Sequence, residues 1–146
     1  LFNLVQPDCA YFGEKDFQQI AVLRAMAREI KSPVEIIACP IVREEDGLAR
    51  SSRNTLLSEE GRVQAPNIYR ILSESRTWSK ELSPKEVIER ATQLLDAIPT
   101  LRVEYFEIVD ADTLQPITRW EDSPKPHGCI TVYCGEVRLI DNIAYY

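Results

Sequence analysis

Two polar clusters in this chain carry the residue types needed to bind an anion. The first is Phe12-Gly13-Glu14-Lys15-Asp16-Phe17-Gln18-Gln19, which follows the short apolar run Cys9-Ala10-Tyr11-Phe12 and opens an amphipathic pattern. A strand, a glycine, a lysine and a helix start bring backbone N–H groups and a cation to one point, which favours phosphate there. Gly13 permits a tight turn and a close approach of ligand to backbone. Lys15 sets an ammonium beside the positive end of the helix. The same residues also have a purely local reading. Asp16 with Gln19 spells a D-x-x-Q capping box, Gly13 is then an ordinary turn, and Lys15 a solvated charge.

The second cluster is Ser51-Ser52-Arg53-Asn54, after Asp46-Gly47-Leu48-Ala49-Arg50. Ser51 and Ser52 offer hydroxyls, and Arg53 a planar fork of donors that can hold two phosphate oxygens at once. The local alternative is a polar loop before a helix, with a serine or Asn54 as the cap. Arg50 reads as a solvated side chain. With Gly47, few apolar residues and many charges, the stretch from Glu44 to Asn54 has the composition of a mobile closing loop.

Other reactive residues are dispersed. His127, the only histidine, falls in the turn-rich stretch Ser123-Pro124-Lys125-Pro126-His127-Gly128 and reads as an exposed loop residue. Cys9, Cys39, Cys129 and Cys134 form no C-x-x-C pair and sit mostly in apolar runs, so they read as buried reduced thiols of a cytoplasmic protein. One histidine and scattered cysteines cannot make a metal cluster. No G-x-S-x-G elbow, Walker A string or G-x-G-x-x-G fingerprint occurs. Asp110, Asp112, Asp122 and Asp141 read as turn and cap residues.

The elements that must position the two clusters follow from periodicity. Leu1 to Gln6 reads as the tail of a helix ended by Pro7-Asp8, and Cys9 to Phe12 as a buried strand. From Asp16 to about Ile30, Ile20, Leu23, Ala27 and Ile30 recur on one helical face. Val34 to Cys39 is an apolar run interrupted only by Glu35, the pattern of a parallel strand. Ser58-Glu59-Glu60 starts a helix, Pro66 breaks or kinks it, and the pattern continues to Trp78. Ser83-Pro84-Lys85-Glu86 is a capping box with proline at the first helical position, opening a helix to about Ile98. Leu101 to Val109 alternates as a strand, with Val103, Tyr105 and Glu107 on one side and Glu104, Phe106 and Ile108 on the other. Cys129 to Cys134 and Val137 to Ile140 form a hairpin around Gly135-Glu136. The fold class is α/β: residues 1–40 give helix, strand, helix and strand of a parallel-sheet domain, and 41–146 a small α+β domain with helices on an antiparallel sheet.

Composition excludes several function classes. The chain has 146 residues, 45% of them apolar and 27% charged, with a net charge of −6. That charge argues against a general nucleic-acid or acidic-membrane surface, although a few local cations suffice for one triphosphate. No apolar run approaches the roughly 18 residues of a membrane span. The first residues lack a Met and the basic region of a signal peptide, as expected of a segment from a longer protein.

The strings Gly13-Glu14-Lys15-Asp16-Phe17-Gln18-Gln19 and Asp46-Gly47-Leu48-Ala49-Arg50-Ser51-Ser52-Arg53-Asn54 resemble the ATP- and pantoate-binding segments of the pantothenate synthetase (pantoate–β-alanine ligase) family. Asp110-Ala111-Asp112-Thr113-Leu114 and Leu139-Ile140-Asp141-Asn142 match family segments that look structural. Arg50 departs from the apolar residue usual there. The resemblance implies a Rossmann-like nucleotidylyl transferase domain followed by a lid domain. It also implies ATP as cosubstrate, Mg²⁺ with the triphosphate, pantoate and β-alanine as substrates, and a homodimer for the full-length protein. Under it, Phe12, Gly13, Lys15, Asp16, Val42, Ser51, Ser52 and Arg53 bind ATP. Among these Lys15, Ser51, Ser52 and Arg53 stabilise phosphate charge, Asp16 holds the ribose hydroxyls and the Val42 backbone reads adenine. Gln19 binds pantoate. The resemblance also implies a His-x-Gly-His string in the family's first half, which is not found in these residues. The chain is therefore expected to be a C-terminal fragment, inactive by itself. Another nucleotidyl transferase of the same superfold and a non-catalytic nucleotide-binding fragment are the competing expectations.

Overall fold

A computed structural model describes residues 1–146. They divide into two compact units, Leu1–Ile41 and Val42–Tyr146.

The first unit runs α1 (Phe2–Val5), β1 (Cys9–Gly13), a 3₁₀ turn (Glu14–Asp16), α2 (Phe17–Glu29) and β2 (Glu35–Cys39). β1 and β2 pair in parallel, from Cys9 opposite Glu35 to Gly13 opposite Cys39. α2 is the crossover that a parallel pair requires. Its buried face carries Phe17, Ile20, Ala21 and Ala27. Ile30, expected on that face, is half exposed because the helix ends one residue earlier. The chain turns there through Lys31 at φ +53, with Ser32 N–H donating to Ala27 O and Lys31 N–H to Arg28 O. This is a Schellman ending with lysine where glycine is usual. Cys9 and Cys39 are half-buried rather than buried, since a two-stranded sheet has little to cover its edges. The core of this unit is small: Ile20, Ala27, Val34 and Ile36, with Phe2, Ala10, Phe12 and Ala38 packed on it.

The second unit contains α3 (Glu59–Gln64), α4 (Asn67–Trp78), α5 (Pro84–Asp96) and an antiparallel sheet of β3 (Leu101–Asp110), β4 (Pro126–Cys134) and β5 (Val137–Ala144), in that order. Ser58 caps α3, and the full capping box forms at Ser83 and Glu86. α4 buries Ile68, Ile71, Leu72 and Ser75, and α5 buries Pro84, Val87, Ala91 and Leu95. These spacings of three and four lay both helices over Phe106, Ile108, Ile130, Val132, Leu139 and Ile143 of the sheet. Gly135-Glu136 makes the two-residue turn, with Gly135 at φ +58.

Two expectations about the strands of this unit are corrected. The simple alternation of the 101–109 strand is broken by a bulge between Val103 and Tyr105. Leu101 is buried, Glu104 is exposed, and Phe106 and Ile108 are buried, because the extra residue resets which side chains face the core. His127 is not in an exposed loop. It lies in β4, which begins at Pro126, and is 2% exposed. A proline is tolerated as the first residue of a strand, so the turn-rich stretch ends at Lys125, three residues earlier than it reads.

Candidate nucleotide-binding residues

The first cluster forms where β1 hands over to α2. Lys15 sits half-buried in the 3₁₀ turn immediately before the helix, and Asp16 and Gln19 are exposed. Phe17 is buried and pins the helix start. The D-x-x-Q capping box does not form, because the Asp16 side chain makes no capping hydrogen bond. Its carboxylate is thus not committed to the helix. Gly13 is not a tight turn either: its backbone is extended at φ −67, and a Cβ built on it meets nothing within 4 Å. Nothing in these residues demands glycine there. Phe12, half-buried, packs against the core of the first unit.

The second cluster hangs from a small hairpin. Arg43 bridges Ala49, Glu44 N–H donates to Leu48 O at 2.8 Å, and Arg50 N–H donates to Val42 O at 2.9 Å. Val42 exposes its side chain. Gly47, at φ +92, lies so close to Tyr69 that a Cβ would come within 2.8 Å of the ring. Asp46 accepts from Leu48 N–H and pairs with Arg62, whose hydrogen bond holds the Asp46 carboxyl below its usual range. Leu48 and Ala49 are buried. Arg50 is exposed and pairs with Glu44 at 3.3 Å.

This hairpin leads into Ser51 and the 3₁₀ turn Ser52–Leu56. Ser51 Oγ accepts from Arg53 N–H at 3.2 Å, so Ser51 serves as a local cap. Ser52 and Arg53 are exposed. Arg53 Nη1 donates to Arg138 O at 3.2 Å, and Asn54 Nδ2 to Ala49 O at 3.1 Å. The expectation of a poorly anchored loop from Glu44 to Asn54 is therefore corrected. Two buried residues and a ladder of short hydrogen bonds hold it where composition alone indicated few anchors.

Sequence reasoning missed the residue that ties this loop down. Arg43 donates to both carboxylate oxygens of Asp141, at 2.7 and 2.9 Å, and to Gly47 O at 3.1 Å. Its guanidinium lies 3.5 Å from the centre of the Tyr69 ring. Asp141 is thus not a turn or cap residue but a buried ion-pair partner on β5. The two residues are 98 apart in sequence, so no local spacing could reveal them. Asp110 and Asp122 do serve turns. Ser123 and Thr113 hydroxyls hold the Asp110 carboxyl down to about 2, and Arg119 and Thr118 donors hold Asp122 there too. Asp112 pairs with Lys125.

No group of three or more His, Cys, Asp or Glu side chains is arranged to hold a metal ion, and no helix is long and apolar enough to cross a membrane. Phe12, Gly13, Lys15, Asp16 and Gln19 belong to the first unit, and Val42, Ser51, Ser52 and Arg53 to the second.

A profile of the family Pantoate-beta-alanine ligase matches residues 1–144. A pantothenate synthetase of Porphyromonas gingivalis is 60% identical over 145 residues, which are 99% of this chain and 52% of that protein. One of Bacteroides thetaiotaomicron is 56% identical over the same share of this chain and 51% of its own length. The crystal structure of pantothenate synthetase from Thermus thermophilus superimposes with a TM-score of 0.90 at 44% identity, covering 99% of this chain and 52% of that one. A pantoate-beta-alanine ligase from Francisella tularensis, complexed with beta-gamma ATP and beta-alanine, gives 0.70 at 26% identity, over 99% of this chain and 46% of that one. The chain spans about half the length of the relatives it matches.

Proposed function

Because the chain belongs to the pantoate–β-alanine ligase family, we propose that it supplies part of the active site of an ATP-dependent ligase joining (R)-pantoate to β-alanine through a pantoyl adenylate. A pantoate carboxylate oxygen attacks the α-phosphorus, the bond to the bridging oxygen breaks, and pyrophosphate leaves. The β-alanine amine then attacks the acyl carbon, AMP leaves, and a proton is released. The first unit is part of a Rossmann-like nucleotide-binding domain, and the second is the small α+β lid domain of the family. The full-length protein is a cytoplasmic homodimer in this reading.

The observation that carries the reading is the junction of β1 and α2. It has an ammonium at a helix start, a carboxylate not used for capping, and a glycine that the chain itself does not require. Close approach of a ligand is a physical reason for glycine at such a place. Lys15 and the helix start hold phosphate charge as it builds up, together with Ser51, Ser52 and Arg53. Phe12 and Gly13 flank the nucleotide, Asp16 takes the ribose hydroxyls and the Val42 backbone the adenine. Gln19, exposed in the first turn of α2, orients pantoate. Mg²⁺ neutralises triphosphate charge when bound, and it would arrive with the nucleotide. The 146 residues alone lack ligase activity, since the His-x-Gly-His groups implied by the resemblance lie elsewhere.

The test is single-turnover pantoyl adenylate formation by the full-length protein at varied pantoate. Lys15→Ala should slow adenylate formation by roughly two orders of magnitude, on the order of 3 kcal/mol, because an ammonium on the transferring phosphates acts most where charge develops. Gln19→Ala should instead raise the pantoate concentration required, since that contact exists in ground and transition states alike. Identical patterns for the two variants, or no effect of either, would remove these roles.

A further inference from the structure

We infer that Arg43 is a positioning residue for the phosphate-binding loop, acting through Asp141 and Tyr69 rather than by touching substrate. The inference rests on the phosphate role proposed above for Ser51, Ser52 and Arg53.

Three contacts converge on one guanidinium. Its two terminal nitrogens meet the two oxygens of Asp141, its face lies on Tyr69, and one nitrogen also reaches Gly47 O. This is the fork-on-fork geometry that lysine cannot copy, combined with a stacked flat face. Both partners belong to regular elements of the second unit: Asp141 is in β5 and Tyr69 in α4. Arg43 is thus a rivet between a rigid scaffold and the base of the hairpin.

The hairpin passes that fixed position on. Arg43 bridges Ala49, two residues before Ser51, and Ala49 O receives the Asn54 amide. Gly47 is trapped against the same Tyr69 ring, so the turn of the hairpin is fixed as well as its base. β5 supplies a second hold three residues from Asp141, where Arg138 O accepts from Arg53 itself. The two guanidiniums differ in what they leave available. Arg43 has only 17% of its side chain exposed and spends its fork on protein groups, whereas Arg53 is exposed and gives one nitrogen to the scaffold. Arg43 is therefore the anchor, and Arg53 the group with donors to offer a ligand.

A stability role alone does not explain this arrangement. Asp141 lies between Leu139 and Ile143 on the face of β5 that joins the apolar core. Burying an ion pair there gains little over apolar side chains of similar size, because desolvation offsets the attraction. What an ion pair adds is a unique geometry, and the segment it fixes is the one carrying Ser51, Ser52 and Arg53.

The test uses the full-length protein that contains these residues, with steady-state kinetics at varied ATP and at varied pantoate. Arg43→Lys keeps the charge and loses the fork and the flat face. Its kcat/KM for ATP should fall at least tenfold while KM for pantoate stays within twofold. Asp141→Asn should give the same ATP-selective pattern, and the double variant should be no worse than the poorer single one, since the two act as a unit. The inference is overturned if Arg43→Lys stays within twofold of the parent, if both substrates are affected equally in step with the folded fraction, or if the two losses multiply. Arg53→Ala separates this inference from the reading beneath it. A silent Arg53→Ala removes the phosphate role and this inference with it. An impaired Arg53→Ala beside a silent Arg43→Lys removes this inference alone. Should the ion-pair variants fail to fold, Tyr69→Leu removes only the stacking face: a several-fold rise in KM for ATP supports the role of Arg43, and an unchanged value overturns it.

Discussion

The two clusters proposed to meet the nucleotide are specified in opposite ways. The Arg43–Asn54 segment is determined by its own unit: an ion pair to β5, a ring from α4, two buried residues and a glycine forced to φ +92. At the Gly13–Gln19 junction two residue types, Gly13 and Asp16, are not required by their own unit. Its glycine is in an ordinary conformation with open space at the Cβ, its aspartate caps nothing, and its helix rests on a core of four buried residues. Residues whose types their own packing does not require are where a ligand offers a reason. A segment fully explained by its packing reports instead how a loop is held.

The difference is sharpest in folding. Residues 42–146 have a continuous core from Leu48 to Ile143 under two helices and a three-stranded sheet. Residues 1–41 have a two-stranded sheet, and seven large apolar side chains stay exposed there (Leu1, Leu4, Val5, Tyr11, Val22, Met26 and Ile30), against five in the rest of the chain. A two-stranded sheet with one covering helix is not independently stable. Produced separately, residues 42–146 should melt cooperatively and protect the amides of β4 from exchange, whereas residues 1–41 should show neither behaviour. A cooperative transition in the short piece would break the contrast between the units.

How much of this was legible in the sequence depended on how local the determinants were. The capping box at Ser83 and Glu86, the break at Pro66, the Gly135-Glu136 turn and the paired strands before Pro40 all rest on neighbours a few residues apart, and the structure has each of them. Asp16 and Gln19 carry the same kind of local signal, yet the capping box they spell does not form. Residue types permit a cap; the 3₁₀ turn before α2 sets the geometry that declines it. The bulge at Glu104 and the burial of His127 depend on cross-strand partners, and Arg43–Asp141 joins the start of the second unit to its last strand. Such pairs have no period or spacing to read. The candidate site was legible because it consists of contiguous strings; what holds the second string in place was not.

Glycine substitution sharpens the comparison at single residues. Gly47→Ala places a side chain at positive φ and against the Tyr69 ring, so it should destabilise the protein by about 2 kcal/mol. Gly13→Ala meets no atom and keeps a permitted backbone, so it should leave stability unchanged or raise it by up to about 0.5 kcal/mol, through the unfolded chain. Under the proposed function it should nevertheless slow the ATP-dependent step in the full-length protein. Denaturant midpoints and adenylate-formation rates on the two variants check this. If Gly13→Ala destabilised as much as Gly47→Ala, the claim that one glycine serves the fold and the other a ligand would fail.

The smallest expected effect is acid sensitivity, and it belongs to the well-specified unit. His127 is buried in β4, with Nε2 2.9 Å from Asn142 Oδ1. Burial pushes its pKa below the ordinary 6.5, and the Asn142 bond opposes that only in part. A group whose folded pKa is depressed binds protons more readily when unfolded. Its contribution is therefore complete above pH 6.5 and declines as pH falls toward the folded value. Asp110 opens a second, lower window. Its carboxyl, held by the Ser123 and Thr113 hydroxyls, titrates at about 2 instead of 3.8, so its contribution is present above 3.8 and lost as pH drops through that interval. Melting temperature measured against pH should thus fall in two stages. His127→Gln should flatten the first stage and leave the second, and Asp110→Asn should reduce the second, which Asp122 shares, and leave the first. The two residues lie on the same stretch of the sheet, since Val109 pairs with His127 and Asp110 with Pro126. A single merged transition that either substitution abolished would therefore mean that these groups titrate as one network, not as separate supports of the second unit.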